Sequence, residues 1–181
     1  MTDSLPLRES VGLTLPLRVA DLGGRRALTF RLRPDAPARG ELAQDLGVEK
    51  IRKLDFRGTL TPEGRHDWRL DGILGATVVQ ACIITAEPVT TRIDTSVVRQ
   101  FVREMPVSDG PEAEIPEDDT LEPLGPVIDP GAVMAEALAL ALPDYPRIEG
   151  AALPESALDD RADDAWPNPF AALKALRDGE S

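Results

Sequence analysis

Few residues of this chain could serve as a nucleophile or a general base. His66 is the only histidine and Cys82 the only cysteine in 181 residues. The pattern places His66 in a turn between two predicted strands and singles out no serine to join it. A Ser–His or Cys–His pair built on a turn would lack the rigid neighbours that hold such groups within hydrogen-bond reach. We therefore predict no catalytic residue, and we interpret Cys82 as a small buried residue.

Carboxylate pairs are the next candidates. They are Asp118-Asp119, Asp159-Asp160 and Asp163-Asp164, all in acidic stretches. Water solvates both charges there, so the pairs lack the burial on which acid–base catalysis depends. Their spacing does not follow a calcium loop, the glycines form no nucleotide-binding fingerprint, and one cysteine supplies no multi-thiolate site. The sequence argues against an enzyme, and we expect no metal, no cofactor and no small-molecule substrate.

Clustered cations are the remaining candidates for function. Between Arg25 and Arg57, nine Lys/Arg residues stand against five Asp/Glu residues. A sheet that presents such side chains can follow an RNA backbone through its phosphates. The predicted RNA contacts are Arg25, Arg26, Arg52, Lys53, Arg57 and Arg92. A charge run is also typical of a solvated surface without a ligand, and the pattern leaves both interpretations open.

The net charge is distributed unevenly along the chain. The total is −12, but residues 1–103 carry 16 Lys/Arg against 13 Asp/Glu, whereas residues 104–181 carry 4 against 19. Such asymmetry is typical of an interaction tail or a nucleic-acid surface. An acidic surface that only aids solubility would give the same distribution.

Alternation of apolar and polar residues predicts the strands that position the cations. The predicted strands are 13–20, 27–33, 53–60, 68–78 and 89–101. We expect the first two to form a hairpin whose first strand is an edge, because Pro16 cannot donate to a sheet ladder. The short connection between the last two strands predicts an antiparallel pair. Trp68, Leu70 and Leu74 share the buried face of the fourth strand.

Two helices complete the predicted domain. One spans 38–46 and ends at Gly47, and the other spans 130–142, between the cap Asp129 and Pro143. The second helix is apolar nearly all round, so it packs on the sheet or is buried in a partner. The predicted fold class is α+β: a mainly antiparallel β meander, open-barrel or sandwich-like, with these helices and a short C-terminal helix.

Composition divides the chain into a domain, a linker and a tail. We predict one β-rich domain over 1–147, interrupted by an acidic, proline-rich flexible linker at about 105–127. An acidic, poorly ordered tail follows over 148–181. It contains a helical motif at 169–177, in which Phe170, Leu173 and Leu176 either fold back onto the domain or contact a partner. With no membrane-length apolar run and no signal-like start, we expect a cytoplasmic protein without a membrane partner.

Several short sequence segments of the chain occur in the order seen in one known family. They are the run from Val78 to Val89, the helix from Ile128-Asp129 to Leu142-Pro143 with Tyr145-Pro146-Arg147 after it, and Asn168-Pro169-Phe170 near the end. In these phrases and this order the chain resembles the YceD family, the large ribosomal RNA subunit accumulation proteins, and its terminus resembles that of alphaproteobacterial members. The motif residues are Cys82, Glu87, Pro88, Asp129, Glu136 and Pro143.

The resemblance implies a non-enzymatic factor that supports accumulation of 23S ribosomal RNA and biogenesis of the large ribosomal subunit. The implied partner is precursor ribosomal RNA or an assembly intermediate of the large subunit. An acidic module that sequesters a basic ribosomal protein, without RNA contact, is the alternative. Many family members carry a second cysteine three residues after the first, but Thr85 stands there in this chain. A zinc or thiol role is therefore not expected here.

Overall fold

The structure is a computed structural model that describes residues 6–22, 26–104 and 120–152. The chain divides into two compact units, Met1–Ile148 and Glu149–Ser181. All the helices and strands named below belong to the first unit. Of the second unit, only residues 149–152 are described, and they include a turn with a left-handed Gly150 (φ 81°).

Six strands form one mixed sheet in the order β1-β3-β4-β5-β6-β7. Its strands are β1 (Leu7–Ser10), β3 (Leu28–Leu32), β4 (Lys50–Glu63), β5 (Asp67–Ala81), β6 (Pro88–Val102) and β7 (Leu121–Pro123). A small second sheet pairs β2 (Leu17–Arg18) with β8 (Val127–Ile128). The predicted α+β class with a strand-rich meander is confirmed, and the strands described here do not close into a barrel.

The centre of the large sheet is an antiparallel meander of β3, β4, β5 and β6. The predicted pairing of the two longest strands is confirmed, with Trp68 opposite Phe101 and Ala76 opposite Ile93. The edge strands β1 and β7 pair in parallel with β3 and β6. Most of the buried residues of β3, β4, β5 and β6 lie on one face of the sheet, and this face carries the core.

The predicted hairpin between 13–20 and 27–33 is wrong. Only Leu17–Arg18 is a strand in the first segment, and it pairs with β8 rather than with β3. The neighbour of β3 is instead β1, which alternation did not reveal because it has only four residues. The backbone just before Leu17 does not pair with a strand that the structure describes. Leu15 instead donates its N–H to the carboxylate of Asp129.

A β-bulge interrupts β4 at Arg52. Ile51 lies opposite Val78 and Lys53 lies opposite Thr77, so Arg52 has no partner residue on β5. The extra residue keeps both Ile51 and Leu54 buried although they are three positions apart. Farther along, β4 continues to Glu63. The predicted turn between this strand and β5 contains His66 and lies at 64–66.

Two cross-strand glycines make room for the largest core side chains. Gly58 lies opposite Gly72, and the rings of Phe30 and Phe56 pack nearby with centroids 5.2 Å apart. A Cβ on Gly58 would lie 2.2 Å from the carbonyl oxygen of Asp71, and one on Gly72 would lie 2.6 Å from the Phe56 ring. The rings therefore occupy the volume that side chains at these positions would need.

The helix α1 (Ala36–Asp45) lies between β3 and β4. Asp35 caps it by accepting the N–H of Ala38 at 3.0 Å, and Gly47 follows with φ 64°. This confirms the predicted helix at 38–46 and its glycine stop. Arg39 reaches from α1 to the carbonyl oxygen of Ile51 at 3.1 Å, so this cation of the predicted charge run ties the helix to the bulged strand.

The helix α2 (Pro130–Ala141) confirms the second predicted helix and its cap. One carboxylate oxygen of Asp129 accepts the N–H of Gly131 and that of Leu15, both at 2.8 Å. A Cβ on Gly131 would lie 2.0 Å from the carbonyl oxygen of Leu13, so the N-terminal segment passes close over the start of the helix. Asp129 thus both caps α2 and holds that segment.

The apolar stripe of α2 is buried within this chain. Val133, Met134, Ala137 and Leu138 belong to the core together with the buried face of the sheet. This stripe therefore packs on the sheet of its own chain, the first of the two predicted alternatives. Leu140, on the other side of the helix, is 76% exposed. The core thus lies between the sheet on one side and α1, α2 and the small second sheet on the other.

The predicted linker is only partly within the described residues. Residues 105–119 lie outside them, whereas the end of the predicted linker contains β7, which pairs with Gln100 to Val102. Leu124 also packs on the core, so the flexible chain expected up to 127 is corrected for residues 121–124. The terminal helical motif at 169–177, with Phe170, Leu173 and Leu176, lies outside the described residues.

Candidate nucleic-acid interface

The sheet face opposite the core carries three of the six predicted contact residues. We call it the outer face. Its side chains alternate with the buried residues of β3 to β6. It comprises Thr29, Arg31, Arg33, Lys53, Asp55, Arg57, Thr59, Arg69, Asp71, Ile73, Thr77, Arg92, Asp94, Ser96 and Val98.

These three cations are Lys53, Arg57 and Arg92. Lys53 and Arg92 both lie opposite Thr77, one on each side of β5. Two strand spacings therefore separate them, about 10 Å. Arg57 lies four residues along β4 from Lys53, about 13 Å away. Arg52 is the exposed bulge residue beside Lys53.

The outer face also carries carboxylates, which neutralise part of its charge. Asp55 accepts hydrogen bonds from Arg31 at 2.9 Å and from Arg33 at 2.6 Å. Partial burial opposes ionisation of Asp55, but the hydrogen bonds from Arg33 and Arg31 outweigh it and hold the pKa of Asp55 below its ordinary value. Arg31 and Arg33 are therefore engaged by the protein itself.

Arg92 has an acidic partner as well. It forms an ion pair with Asp94, two residues along β6 on the same face. The hydrogen bonds that Arg92 donates to the carboxylate lower the pKa of Asp94 and raise the pKa of Arg92. Arg69 is likewise paired with Asp71 at 3.0 Å. Within the described residues, no ion pair engages Arg52, Lys53 or Arg57, so these three cations remain available for a ligand.

A groove of about 600 Å³ crosses the outer face from β1 to β6. Leu7 and Ile73 contribute apolar surface and are 56% and 54% exposed. Arg57 lines the same groove together with Glu9 and Asp71. A chain lying in the groove would therefore meet apolar side chains, a cation and carboxylates at once.

The structure separates Arg26 from the other predicted contacts. It lies just before β3, where it lines a different cavity together with Arg8 and Arg18. Sequence reasoning missed these last two arginines because they stand outside the charge run. Their only signal was a basic residue on each of two short strands near the N-terminus. Arg25 lies outside the described residues.

The family motif residues perform structural tasks. Cys82 is 2% exposed in the loop between β5 and β6, where its N–H donates to the carbonyl of Glu87 at 2.8 Å. The Thr85 side chain, and after it the backbone of Ile148, Thr85 and Ile84, favour the thiolate form of Cys82 through hydrogen bonding. These bonds outweigh burial and lower the pKa of the thiol to about 7.

The C-terminal end of α2 is tied to this loop. Gln80 donates its side-chain N–H to the carbonyl of Pro143 at 3.2 Å, and Ile83 donates its N–H to the carbonyl of Pro146 at 3.0 Å. Pro88 begins β6 at the other end of the loop. Two of the three segments on which the resemblance rests are therefore in direct contact.

Glu136 belongs to an ion-pair cluster around the largely buried Arg99. Arg99 of β6, whose side chain is 13% exposed, donates to Glu136 of α2 and to Glu122 of β7, both at 3.0 Å. A nearly buried guanidinium needs such partners because an unpaired charge there would be costly. The cluster joins β6, β7 and α2 and uses Glu136 for structure.

His66 and Cys82 do not meet. His66 lies in the turn before β5 and Cys82 directly after β5, so the full length of a 15-residue strand separates them. At about 3.3 Å per residue, this is roughly 50 Å. In the described ranges, no group of three or more His, Cys, Asp or Glu residues could hold a metal ion. No helix there is long and apolar enough to cross a membrane.

One family model matches this chain. The model described as large ribosomal RNA subunit accumulation protein YceD matches residues 70–177, whereas no curated protein and no solved structure matches. The match covers more than half of the chain and begins inside β5, after Arg52, Lys53 and Arg57. Its description implies a role in accumulation of the RNA of the large ribosomal subunit and does not name an enzyme. The chain belongs to the YceD family of large ribosomal RNA subunit accumulation proteins.

Proposed function

We propose that this protein supports accumulation of 23S ribosomal RNA by binding precursor ribosomal RNA, or its ribonucleoprotein, through the outer face. The observation that carries the proposal is the row of exposed cations on β4 and its bulge. Arg52, Lys53 and Arg57 have no ion-pair partner within the described residues, although neighbouring arginines of the same face are paired. Cations left without a carboxylate are available for phosphates.

The ion pairs beside them give the face a defined shape. Asp55 holds Arg31 and Arg33, and Asp94 holds Arg92, so these long side chains lie against the sheet. The available cations are then spread over about 13 Å along β4 rather than concentrated in one spot. This arrangement suits contacts to successive phosphates of one RNA strand better than a single bound anion.

Salt dependence of RNA binding tests the proposal. The triple variant Arg52→Gln/Lys53→Gln/Arg57→Gln removes the available cations. Each phosphate contact adds about 0.7 to 0.9 to the slope of log affinity against log salt, so the variant should lower the slope by about 2. The control Arg65→Gln/Arg103→Gln/Arg147→Gln removes the same charge from exposed positions away from the face centre. Equal slopes for the two triple variants would refute the outer-face contact.

A second candidate function is supported by the carboxylates of the same face. Glu9, Asp55, Asp71 and Asp94 interrupt the cations, and the whole chain carries a net charge of −12. Such a surface could hold a basic ribosomal protein without RNA. Pull-down of the protein from lysate before and after ribonuclease treatment separates the two, since a protein partner stays bound and an RNA-mediated one is lost.

A further inference from the structure

A second cavity, on the other side of β1 from the outer-face groove, is lined by three arginines. It measures about 430 Å³ and lies among β1, β2, the short 3-10 helix Val19–Asp21 and the start of β3. Arg8, Arg18 and Arg26 line it, and Asp21 is the one acidic residue among the lining residues that the structure describes. We call it the arginine cavity.

The charge of the arginine cavity favours an anion. Arg8 and Arg18 stand against Asp21, so positive charge exceeds negative charge even when Arg26 is not counted. Within the described residues, no ion pair engages Arg8 or Arg18. Like charges around a cavity repel one another and attract an anion more strongly than they would on an open surface. Arginine is also the side chain best suited to bind a phosphate with two parallel hydrogen bonds.

The rest of the lining is apolar. Leu15, Leu22 and Leu28 form walls between the arginines, with prolines beside them. A cavity of this volume falls within the range of sites for small organic ligands and exceeds what a bare phosphate ion would fill. The lining therefore suits a group that combines a phosphate with a flat or apolar body. A nucleotide has this composition, because its base can stack on apolar side chains and guanidinium planes.

The edge strand β1 separates the arginine cavity from the outer-face groove. Leu7 lines the groove and the next residue, Arg8, lines the cavity, because successive residues of a strand point to opposite sides. An RNA strand that leaves the groove over β1 would reach the cavity within a few nucleotides. We propose that the arginine cavity binds one 5′-phosphorylated nucleotide unit, free or within an RNA strand. Where the nucleotide belongs to an RNA strand, this proposal rests on the proposed function, binding of RNA by the outer face.

Two probes test the cavity: uridine 5′-monophosphate followed by NMR, and a short fluorescein-labelled oligouridylate followed by anisotropy. Arg8→Gln/Arg18→Gln should weaken binding of at least one probe by about tenfold or more, since each lost charge-assisted contact has a large effect. The control Arg65→Gln/Arg147→Gln removes the same charge and should change neither affinity by more than about twofold. Thermal melting checks that all variants fold.

The outcomes distinguish the cavity from the outer face. If the wild-type protein does not bind the mononucleotide and Arg8→Gln/Arg18→Gln weakens binding of the oligouridylate, the cavity proposal is supported. The ligand is then a nucleotide within an RNA strand. Binding of the mononucleotide that this variant loses supports the cavity even if the outer-face triple variant binds oligouridylate normally. If both probes bind the variant as they bind the control, the cavity proposal is wrong, whatever the triple variant does. Should the glutamine variant melt early, Arg8→Lys/Arg18→Lys replaces it, with an expected intermediate loss because lysine keeps the charge without the planar fork.

Discussion

The backbone N–H of Ile83 donates to the carbonyl oxygen of Pro146 at 3.0 Å, which joins the loop after β5 to the segment after α2. These residues are 63 positions apart in sequence. The contact brings together two of the three segments on which the family resemblance rests. Both ends of α2 are held to the rest of the domain: Asp129 accepts the N–H groups of Gly131 and Leu15 at its start, and Pro143, just after its end, accepts the side-chain N–H of Gln80.

We predict opposite effects on stability for the same substitution at a glycine of the sheet and at a glycine of α1. Gly58→Ala should lower the free energy of unfolding by about 1 to 3 kcal/mol, because its Cβ would meet the Asp71 carbonyl and the Phe30 ring. Gly40→Ala, in α1 with nothing within 4 Å, should raise it by about 0.5 to 1 kcal/mol through helix propensity. Urea unfolding measures both. A Gly58→Ala protein as stable as the wild type would contradict the close packing described here.

The two helix caps predict unequal losses. Asp129→Ala removes a carboxylate oxygen that accepts two N–H groups, whereas Asp35→Ala removes one that accepts the N–H of Ala38 alone. We expect a loss of about 2 kcal/mol for the first and about 1 kcal/mol for the second. Chemical denaturation of both variants tests this order. Equal losses would mean that the bond from Leu15 to Asp129 contributes nothing.

We predict that the ion pairs of Asp55 stabilise the folded protein at neutral pH but not in acid. Its pKa is lowered in the folded protein, so the native state binds fewer protons there than the unfolded state. The stabilisation is present above the ordinary value of 3.8 and is lost as the pH falls below it. Asp55→Asn should cost about 1 kcal/mol at neutral pH and little at pH below the folded pKa. Melting curves across this range, with the exposed Asp144→Asn as control, measure the difference; parallel curves for both variants would contradict it.

The thiol of Cys82 predicts a titration that depends on Thr85. Thr85→Val removes the largest cause of the lowered pKa, so the pKa of Cys82 should rise from about 7 toward 9.0. Because the folded pKa lies below the unfolded value, the free energy of unfolding should rise between about pH 7 and pH 9 in the wild type. In Thr85→Val this rise should be smaller. Ultraviolet absorbance of the single thiolate follows the titration directly. The exposed Thr90→Val should leave it unchanged, and an unshifted pKa in Thr85→Val would contradict the hydrogen bond.

The long strands and the start of α2 could be predicted from the sequence. The three long strands β4, β5 and β6 repeat their alternation often enough to identify the buried face, and Asp129-Pro130 identifies the start of α2. The short edge strands could not be predicted, because three or four residues give no period and their parallel pairing is set by distant contacts. The same holds for the short β2–β8 pair.

The candidate interface could be predicted only in part. Alternation placed Lys53 and Arg57 on the solvent side of β4, and the spacing of Arg92 and Asp94 on one strand already put both on the same face. The engagement of Arg31 and Arg33 by Asp55 depends on the register between β3 and β4, which no local pattern specifies. Arg8 and Arg18 come together only through the path of the N-terminal segment.

The ratio of large-subunit to small-subunit ribosomal RNA in cells tests the central claim most directly. Cells whose own copy of the gene has been removed would express the wild-type chain, Arg52→Gln/Lys53→Gln/Arg57→Gln, or the control Arg65→Gln/Arg103→Gln/Arg147→Gln at equal protein levels. We predict that the outer-face variant lowers the ratio toward that of cells without the protein, while the control restores it. A ratio fully restored by the outer-face variant would contradict an RNA-accumulation role for this face.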